Sequence, residues 1–286
     1  MSSVTEEQLD RYRAATFFLQ KGRRLQTVDE ALSFVARRGF VFFWPIKGIL
    51  FPNLWTAVAG NRAVANDHDD PGHVTWGWKD SLLGQRRWYY AKVLRGKAMM
   101  IDLHMAPYFY ALSENYGDPE NDYLQLYEDG LLLREAKLVY EALLREGPLD
   151  TVRLRRVTQL AAKSSNSPFN RALTQLQKDF KVLPVGVAEA GAWRYSFVYD
   201  LVHRHYPALP EEARRLTRAA ARRHLLTTAL VSLGVATEAD LRKLFQWRPQ
   251  ELQPALTALV EAGTLRAEPG LRPRQTRYVL ASLLAA

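Results

Sequence analysis

The 286-residue sequence predicts a mainly α-helical protein with small β-hairpins, an α+β fold built from tandem modules. Ala172-Leu173-Thr174-Gln175-Leu176 recurs as Ala255-Leu256-Thr257-Ala258-Leu259, and Arg194-Tyr195 recurs as Arg277-Tyr278. Both matches are offset by 83 residues, which indicates a duplicated unit. Each copy has the order helix, turn, helix and then two extended segments around a loop. This is the order of a winged helix-turn-helix module.

The first region, residues 1–130, is predicted to be helical with a few short strands. Thr5-Glu6-Glu7-Gln8 is a capping box that begins a helix. The apolar run from Phe40 to Trp44 is interpreted as a buried extended segment. Further elements are expected at Val28 to Arg38 (helix), Leu54 to Val58 (helix), Trp76 to Leu94 (long helix), Lys97 to Leu103 (strand) and Ala106 to Glu114 (helix). This region is compatible with a third, more decorated copy of the module.

The second region, residues 131–206, and the third, residues 207–286, are each predicted to be one winged-helix module. Glu146-Gly147-Pro148 ends the first helix of the second region, and Asp150 caps the next. Its third helix is expected from Pro168 to Phe180 because proline suits the first turn of a helix. The third region should contain helices at Glu211 to Leu233, Glu238 to Phe245 and Gln250 to Ala262, followed by a hairpin, the wing.

The charge balance favours an anionic partner. Thirty-nine Lys and Arg residues against 30 Asp and Glu give a formal charge of +9, which is typical of nucleic-acid-binding proteins although many basic proteins bind none. The absence of cysteine excludes disulfides, thiolate nucleophiles and Cys-ligated zinc. Neither a signal peptide nor a membrane span is recognised, so a cytoplasmic location without membrane contact is expected. The protein is expected to be a monomer, with double-stranded DNA as its partner.

The third helix of the second region carries the side chains best suited to reading DNA. Its apolar residues share one face, whereas Asn170, Arg171, Gln175 and Lys178 lie elsewhere on the helix. Asn, Gln and Arg can form paired hydrogen bonds with base edges. The alternative is an ordinary solvated helix face.

Arginines of the third region form two further candidate contact sets. Arg218 and Arg222 belong to an arginine-rich helix whose like charges repel unless a partner neutralises them. The wing carries the other set, which could follow phosphates or enter a minor groove: Arg266, Arg272, Arg274 and Arg277. A solubilising surface is the alternative for both sets.

An acidic turn runs from Asp67 to His73 and contains three carboxylates and two imidazoles. Some of these side chains could bind a metal ion, but aspartates are also common in turns because they bond to the local backbone. No metal or other cofactor is expected. The sequence contains no phosphate-binding glycine motif and no Gly-x-Ser-x-Gly or zincin motif.

The chain resembles the AlkZ/YcaQ superfamily of bacterial winged-helix DNA glycosylases, in particular its AlkZ-related branch. The resemblance rests on four segments: residues 37–45 (Arg-Arg-Gly-Phe-Val-Phe-Phe-Trp-Pro), residues 68–80, residues 112–115 and residues 190–195. It implies tandem winged-helix units that form a concave basic surface for DNA.

The resemblance also locates the catalytic motif of the family. That motif, Gln-x-Gln or Gln-x-Asp after a helix-ending glycine, falls on Phe42-Phe43-Trp44 here. The side chains of Phe and Trp cannot act as a general base or orient water through a carbonyl. The chemistry of the family therefore cannot be carried over, and a DNA-binding protein linked to repair, with doubtful catalysis, is predicted.

Two alternatives remain. The first is a glycosylase with a rebuilt site, in which Asp69, Asp70 or Asp80 supplies the carboxylate. In that site an extruded base would stack on aromatic side chains: Trp44, Trp76 and Trp78. The second is a transcriptional regulator or a scaffold for protein interactions, since winged helices also bind proteins.

Overall fold

The computed structural model describes residues 4–20, 22–191, 194–270 and 275–284. Its elements form three units with one shared order: helix, short strand, two helices, and two strands. Each unit has a three-stranded antiparallel sheet in which the last strand lies in the centre. The α+β class is confirmed, and this element order is the one that the winged-helix prediction requires. The first region of the chain forms a third unit of the same kind.

Module one spans residues 28–101. Its elements are α2 (Val28–Arg38), β1 (Phe40–Phe42), α3 (Leu54–Ala59), α4 (Val74–Leu82), β2 (Tyr89–Lys92) and β3 (Ala98–Ile101). Helix α1 (Glu6–Thr16) precedes it, and α5 (Ala106–Tyr110) and α6 (Asp122–Glu128) follow. Gly39 joins α2 to β1 at a φ of +74°, a conformation that favours glycine.

Module two spans residues 134–201. Its elements are α7 (Arg134–Glu146), β4 (Leu149–Asp150), α8 (Thr151–Val157), α9 (Asn166–Lys178), β5 (Val182–Ala188) and β6 (Ser196–Leu201). Asp150 caps α8 by accepting hydrogen bonds from the amides of Val152 and Arg153, as predicted.

Module three spans residues 218–280. Its elements are α12 (Arg218–Leu233), β7 (Val235–Thr237), α13 (Glu238–Phe245), α14 (Pro249–Glu261), β8 (Leu265–Pro269) and β9 (Thr276–Leu280). Helices α10 (Val202–His205) and α11 (Leu209–Arg214) connect it to module two. The single helix expected from Glu211 to Leu233 is therefore two helices, because Thr217 is extended and caps the start of α12.

The prediction of a long helix from Trp76 to Leu94 is wrong. Helix α4 ends at Leu82, and the chain then turns through Gly84 and Arg86, both at positive φ, into β2. Tyr89, Tyr90 and Ala91 are all buried because both faces of this strand are covered. A run that is apolar on both faces has no periodicity to separate a buried strand from a helix.

The repeat is confirmed in the helices and corrected in the wing. Helices α9 and α14 begin and end 83 residues apart (166 to 249 and 178 to 261). The strands do not keep the 83-residue offset, because Val182 pairs with Leu201 whereas Leu265 pairs with Leu280. The structural equivalent of Arg277 is therefore Val198 and not Arg194, and the Arg-Tyr match is coincidental. The wing of module two is four residues longer, as the two pairings show (201 − 182 = 19 against 280 − 265 = 15).

One hydrophobic core joins the modules. Phe40 and Phe109 pack with Phe180 of module two and with Leu225 and Phe245 of module three. Module two also has a core of its own between α7 and α9. Such continuity fixes the relative position of the modules.

Helix α1 closes the assembly by packing on module three. Tyr12 Oη donates a hydrogen bond to the carbonyl of Val231 (2.5 Å), and Arg13 donates to those of Leu233 and Val235 (2.9 and 2.7 Å). The bonds to Val231 and Leu233 satisfy carbonyls at the C-terminal end of α12, and the bond to Val235 reaches the start of β7. None of the helices in the described segments has the length and apolarity needed to cross a membrane.

Candidate nucleic-acid interface

Helix α9, the third helix of module two, presents polar side chains to an open groove. Phe169, Leu173 and Leu176 turn into the core, which leaves Asn170 and Arg171 exposed. The groove has a volume of about 900 Å³ and lies between α9 and the chain around Glu114, Leu126 and Leu131. Because the groove is open to solvent, it suits an extended ligand better than a small molecule that needs an enclosed pocket.

Arg171 and Lys178 supply free positive charge along this groove. Both side chains are exposed, and neither forms an ion pair with any residue that the structure describes. They are seven residues apart, which places them on one side of the helix with a rise of about 10 Å. The two cations are therefore available to an external anion.

Gln175 has a structural contact in addition to its place in the groove. Its Nε2 donates to the carbonyl of Leu131 (2.6 Å), and its Oε1 accepts from the amide of Leu133 (3.0 Å). The side chain thus ties α9 to the start of module two. Asn170 has no such bond among the described residues.

The candidate arginines on α12 are engaged within the chain. Arg218 donates to the carbonyl of Leu112 (3.1 Å) and to Glu114 (3.3 Å). Arg222 pairs with Glu251 and is half-buried. A phosphate would have to compete with these carboxylates, so α12 offers less free charge than α9.

Two of the four candidate arginines of the module-three wing form ion pairs within the chain. Arg266 and Arg277 both pair with Glu268, the latter at 2.7 Å, which holds β8 against β9. Arg272 and Arg274 lie outside the described residues.

The acidic turn leading into α4 is organised by local bonds. Asp70 accepts from the Gly72 amide (2.7 Å) and pairs with Arg62 (2.5 Å). The hydrogen bond from Arg62, followed by that from Gly72, lowers the pKa of Asp70. Asp69 is fully exposed, and His68 Nδ1 lies 3.9 Å from its carboxylate. Within the described ranges, no group of three or more His, Cys, Asp or Glu residues could hold a metal ion.

Asp80 lies in a different environment, beside the buried amine of Lys79. Lys79 Nζ is 2.6 Å from Asp80 Oδ1 and donates to Tyr195 Oη at 2.8 Å, while Tyr195 Oη donates to Asp80 Oδ1 at 2.9 Å. The Lys79 side chain is 0% exposed. Burial lowers its pKa, and the bond to Asp80 opposes that shift. Helix α4 is thereby tied to the wing of module two.

Aromatic rings surround this amine. Lys79 Nζ is 4.5 Å from the ring centre of Phe197, 4.6 Å from that of Trp76 and 5.7 Å from that of Tyr90. Ring faces attract cations most strongly where water is excluded. The Lys79 cage, defined as Lys79, Asp80, Tyr195 and these three rings, therefore compensates its buried charge from several sides.

The three candidate stacking tryptophans are partly brought together. Trp44 contacts Trp76 edge-on at 5.5 Å, next to the Lys79 cage. Trp44 Nε1 is buried without a hydrogen-bond partner in the described part of the chain. Trp78 is half-buried in the same hydrophobic cluster.

Strand β1 and the residues just after it, where the resemblance places the family motif, are apolar. Phe42 is 1% exposed and packs edge-on against Phe51. Phe43 points to the opposite face and contacts Trp76. The stretch therefore offers hydrophobic surface and no side-chain oxygen.

The sequence did not single out two charged side chains that the fold buries or partly buries, Lys79 and Asp179. Lys79 lies in the aromatic run that begins at Trp76, and that run was a usable signal for an aromatic cage. Asp179, at the end of α9, has no sequence signal, because its burial comes from packing between modules.

Comparisons with known proteins agree with this architecture. In the structure of Streptomyces sahachiroi DNA glycosylase AlkZ, 72% of the chain matches 99% of this one, with a TM-score of 0.62 and 15% sequence identity. At that identity the likeness shows the fold alone. No curated protein matches the chain. The family model described as AlkZ related matches residues 25–246. The protein belongs to the AlkZ-related family.

Proposed function

We propose that the protein binds double-stranded DNA as a monomer, in a role related to DNA repair, through the groove along α9. The observation that carries the proposal is the pair of free cations, Arg171 and Lys178, on an exposed helix with an amide side chain, Asn170, beside them. Cations neutralise phosphates, and an amide can read a base edge.

Family membership and charge support the same conclusion. The repair connection rests on the AlkZ-related family and on the fold shared with a DNA glycosylase. The formal charge of +9 favours a polyanionic partner. Phosphate contacts of this kind would orient the duplex, and α9 would then face a groove of the DNA.

The proposal excludes the hydrolysis expected from the family motif. Phe42 and Trp44 replace the polar residues of that motif and cannot activate water. Asp80 is held between Lys79 and Tyr195, which favours a structural role for its carboxylate.

The test is fluorescence anisotropy with a labelled duplex over a series of salt concentrations. The double variant Arg171→Glu with Lys178→Glu should lose at least about tenfold in affinity at moderate salt, because two phosphate contacts become repulsive. The slope of log K against log salt should also fall by about 2.

The matched control is Arg11→Glu with Arg23→Glu. It makes the same change in net charge at exposed residues that do not line the groove. Equal losses in both double variants would reduce the interaction to general charge attraction, and full affinity of the α9 variant would overturn the proposed interface. No duplex binding at low salt would refute the proposed function.

A further inference from the structure

A second cavity opens where the three modules meet. Its volume is about 280 Å³, and its lining includes Arg95 of module one, Asp179 at the end of α9, and Trp247 of module three. Glu114, Lys178 and Asp179 line both this junction cavity and the α9 groove. The two spaces are therefore neighbours that share one wall.

Asp179 places a carboxylate on the wall of the junction cavity. Its carboxylate is half-buried and accepts no hydrogen bond from the described residues. Lys181, the nearby buried amine, instead donates to the carbonyl of Glu114 (3.1 Å) and to Asn115 Oδ1 (2.7 Å). The carboxylate oxygens keep contact with solvent, so they are free to accept hydrogen bonds from a ligand that enters the cavity.

Burial raises the pKa of Asp179 to about 6. Lys181 and Lys178 oppose this shift, and the Glu114 carboxylate adds to it. The group is still mainly ionised at neutral pH and can act as an acceptor there. These charges and the exposed Arg95 at the rim define the electrostatics of the cavity.

The backbone around the cavity is constrained. Arg95, Phe180 and Gln246 all line it, and each has a left-handed backbone, with φ values of 58°, 52° and 61°. Phe180 and Gln246 adopt this conformation where helices α9 and α13 end, as is usual at helix C-termini. Arg95 adopts it in the turn between β2 and β3. One contributor comes from each module, so all three modules hold the shape of the cavity.

We propose that the junction cavity receives one nucleobase displaced from the bound duplex, an inference that rests on the proposed function. In this site Asp179 accepts a hydrogen bond from an N–H group of the base. The volume is near the lower end for small-ligand sites, which suits a single planar base. Its wall includes Phe245 and Trp247, whose rings stack at 4.3 Å. Arg95 and Lys178 at the rim can contact the flanking phosphates.

The test compares two duplexes: a fully paired one, and one in which a 2-aminopurine faces an abasic position. An unpaired base is easier to displace, so the wild-type protein should bind the second duplex about tenfold more tightly. The 2-aminopurine fluorescence should rise as the base leaves the stack. Asp179→Leu, which removes both acceptor atoms, should abolish the preference and the fluorescence change. Asp179→Asn, whose Oδ1 can still accept a hydrogen bond, should retain part of both. Each variant removes a negative charge beside the α9 groove, so affinity for the paired duplex should rise or stay the same.

The matched control is Asp69→Asn, which removes the same charge at a fully exposed carboxylate and should preserve both readouts. Equal wild-type affinity for the two duplexes, or an undiminished preference in the Asp179 variants, would overturn the nucleobase site. Those results would leave duplex binding intact, whereas failure of the proposed function would abolish binding to both duplexes.

Discussion

Burial shifts the pKa of both Lys79 and Asp179, but the two charged groups differ in what surrounds them. The amine of Lys79 has a carboxylate at 2.6 Å, a hydroxyl at 2.8 Å and aromatic rings around it. The carboxylate of Asp179 has cations nearby but no hydrogen bond from the described residues. A saturated buried charge holds a fold together, whereas an unsaturated one lowers stability and is retained where a ligand uses it. The comparison therefore favours a structural role for Lys79 and agrees with the ligand-binding role proposed for Asp179.

The largest effect is expected when the Lys79 cage is broken. Asp80→Ala should lower the free energy of unfolding by about 3 kcal/mol, because it leaves the buried charge of Lys79 without its carboxylate. Denaturant unfolding measures this loss. Asp69→Ala, at an exposed carboxylate, should leave the unfolding midpoint unchanged.

A double variant sharpens this prediction. Adding Lys79→Met to Asp80→Ala should restore part of the lost stability, because no uncompensated charge remains. Unchanged stability in Asp80→Ala would show that the cage does not depend on its carboxylate. The contrast with Asp179 would then fail.

Replacing Asp179 should raise the free energy of unfolding instead of lowering it. Its pKa is raised from 3.8 to about 6, so the folded state holds the proton more tightly than the unfolded state. Stability therefore falls as the pH rises between these values. Asp179→Asn should gain about 1–2 kcal/mol at pH 7, less than the full shift implies because solvent reaches the carboxylate.

Denaturant unfolding at several pH values checks this sign. The gain of Asp179→Asn should be full at pH 7 and should disappear as the pH falls toward 4. A variant that is less stable than the wild-type protein at pH 7 would mean that the carboxylate has a stabilising partner, and Asp179 would join Lys79 as a structural residue.

The smallest effect should come from Gln175, whose amide is satisfied within the chain. Gln175→Ala should cost about 1 kcal/mol of stability through loss of its bonds to Leu131 and Leu133. It should change duplex affinity by less than about threefold. Asn170→Ala is the counterpart: we expect the reverse pattern, with weaker duplex binding and unchanged stability.

The sequence was most informative where signals are local. The start of α1 at its capping box, the bounds of α2 and the Asp150 cap follow from residues within one turn of each other. The 83-residue repeat correctly aligned α9 with α14, because their buried faces have the same spacing. Strand β2 was missed because its burial on both faces depends on distant segments.

The candidate site was less accessible to sequence reasoning for the same reason. The side chains that face outward on α9 could be read from its helical period, including Arg171 and Lys178. The carboxylates that engage Arg218, Arg222 and Arg277 could not, since two of them lie far along the chain. A charged residue in sequence does not reveal whether the fold has already neutralised it.

The continuous core has a consequence for biosynthesis. Phe40 and Phe109 cannot be covered until Leu225 and Phe245 have been made, and α1 has no docking surface before then. The amino-terminal half therefore leaves the ribosome with this apolar face uncovered, and that half is vulnerable to aggregation until synthesis nears completion. Modules one and two each have a further core of their own, so both can acquire part of their order while the remainder is still being translated.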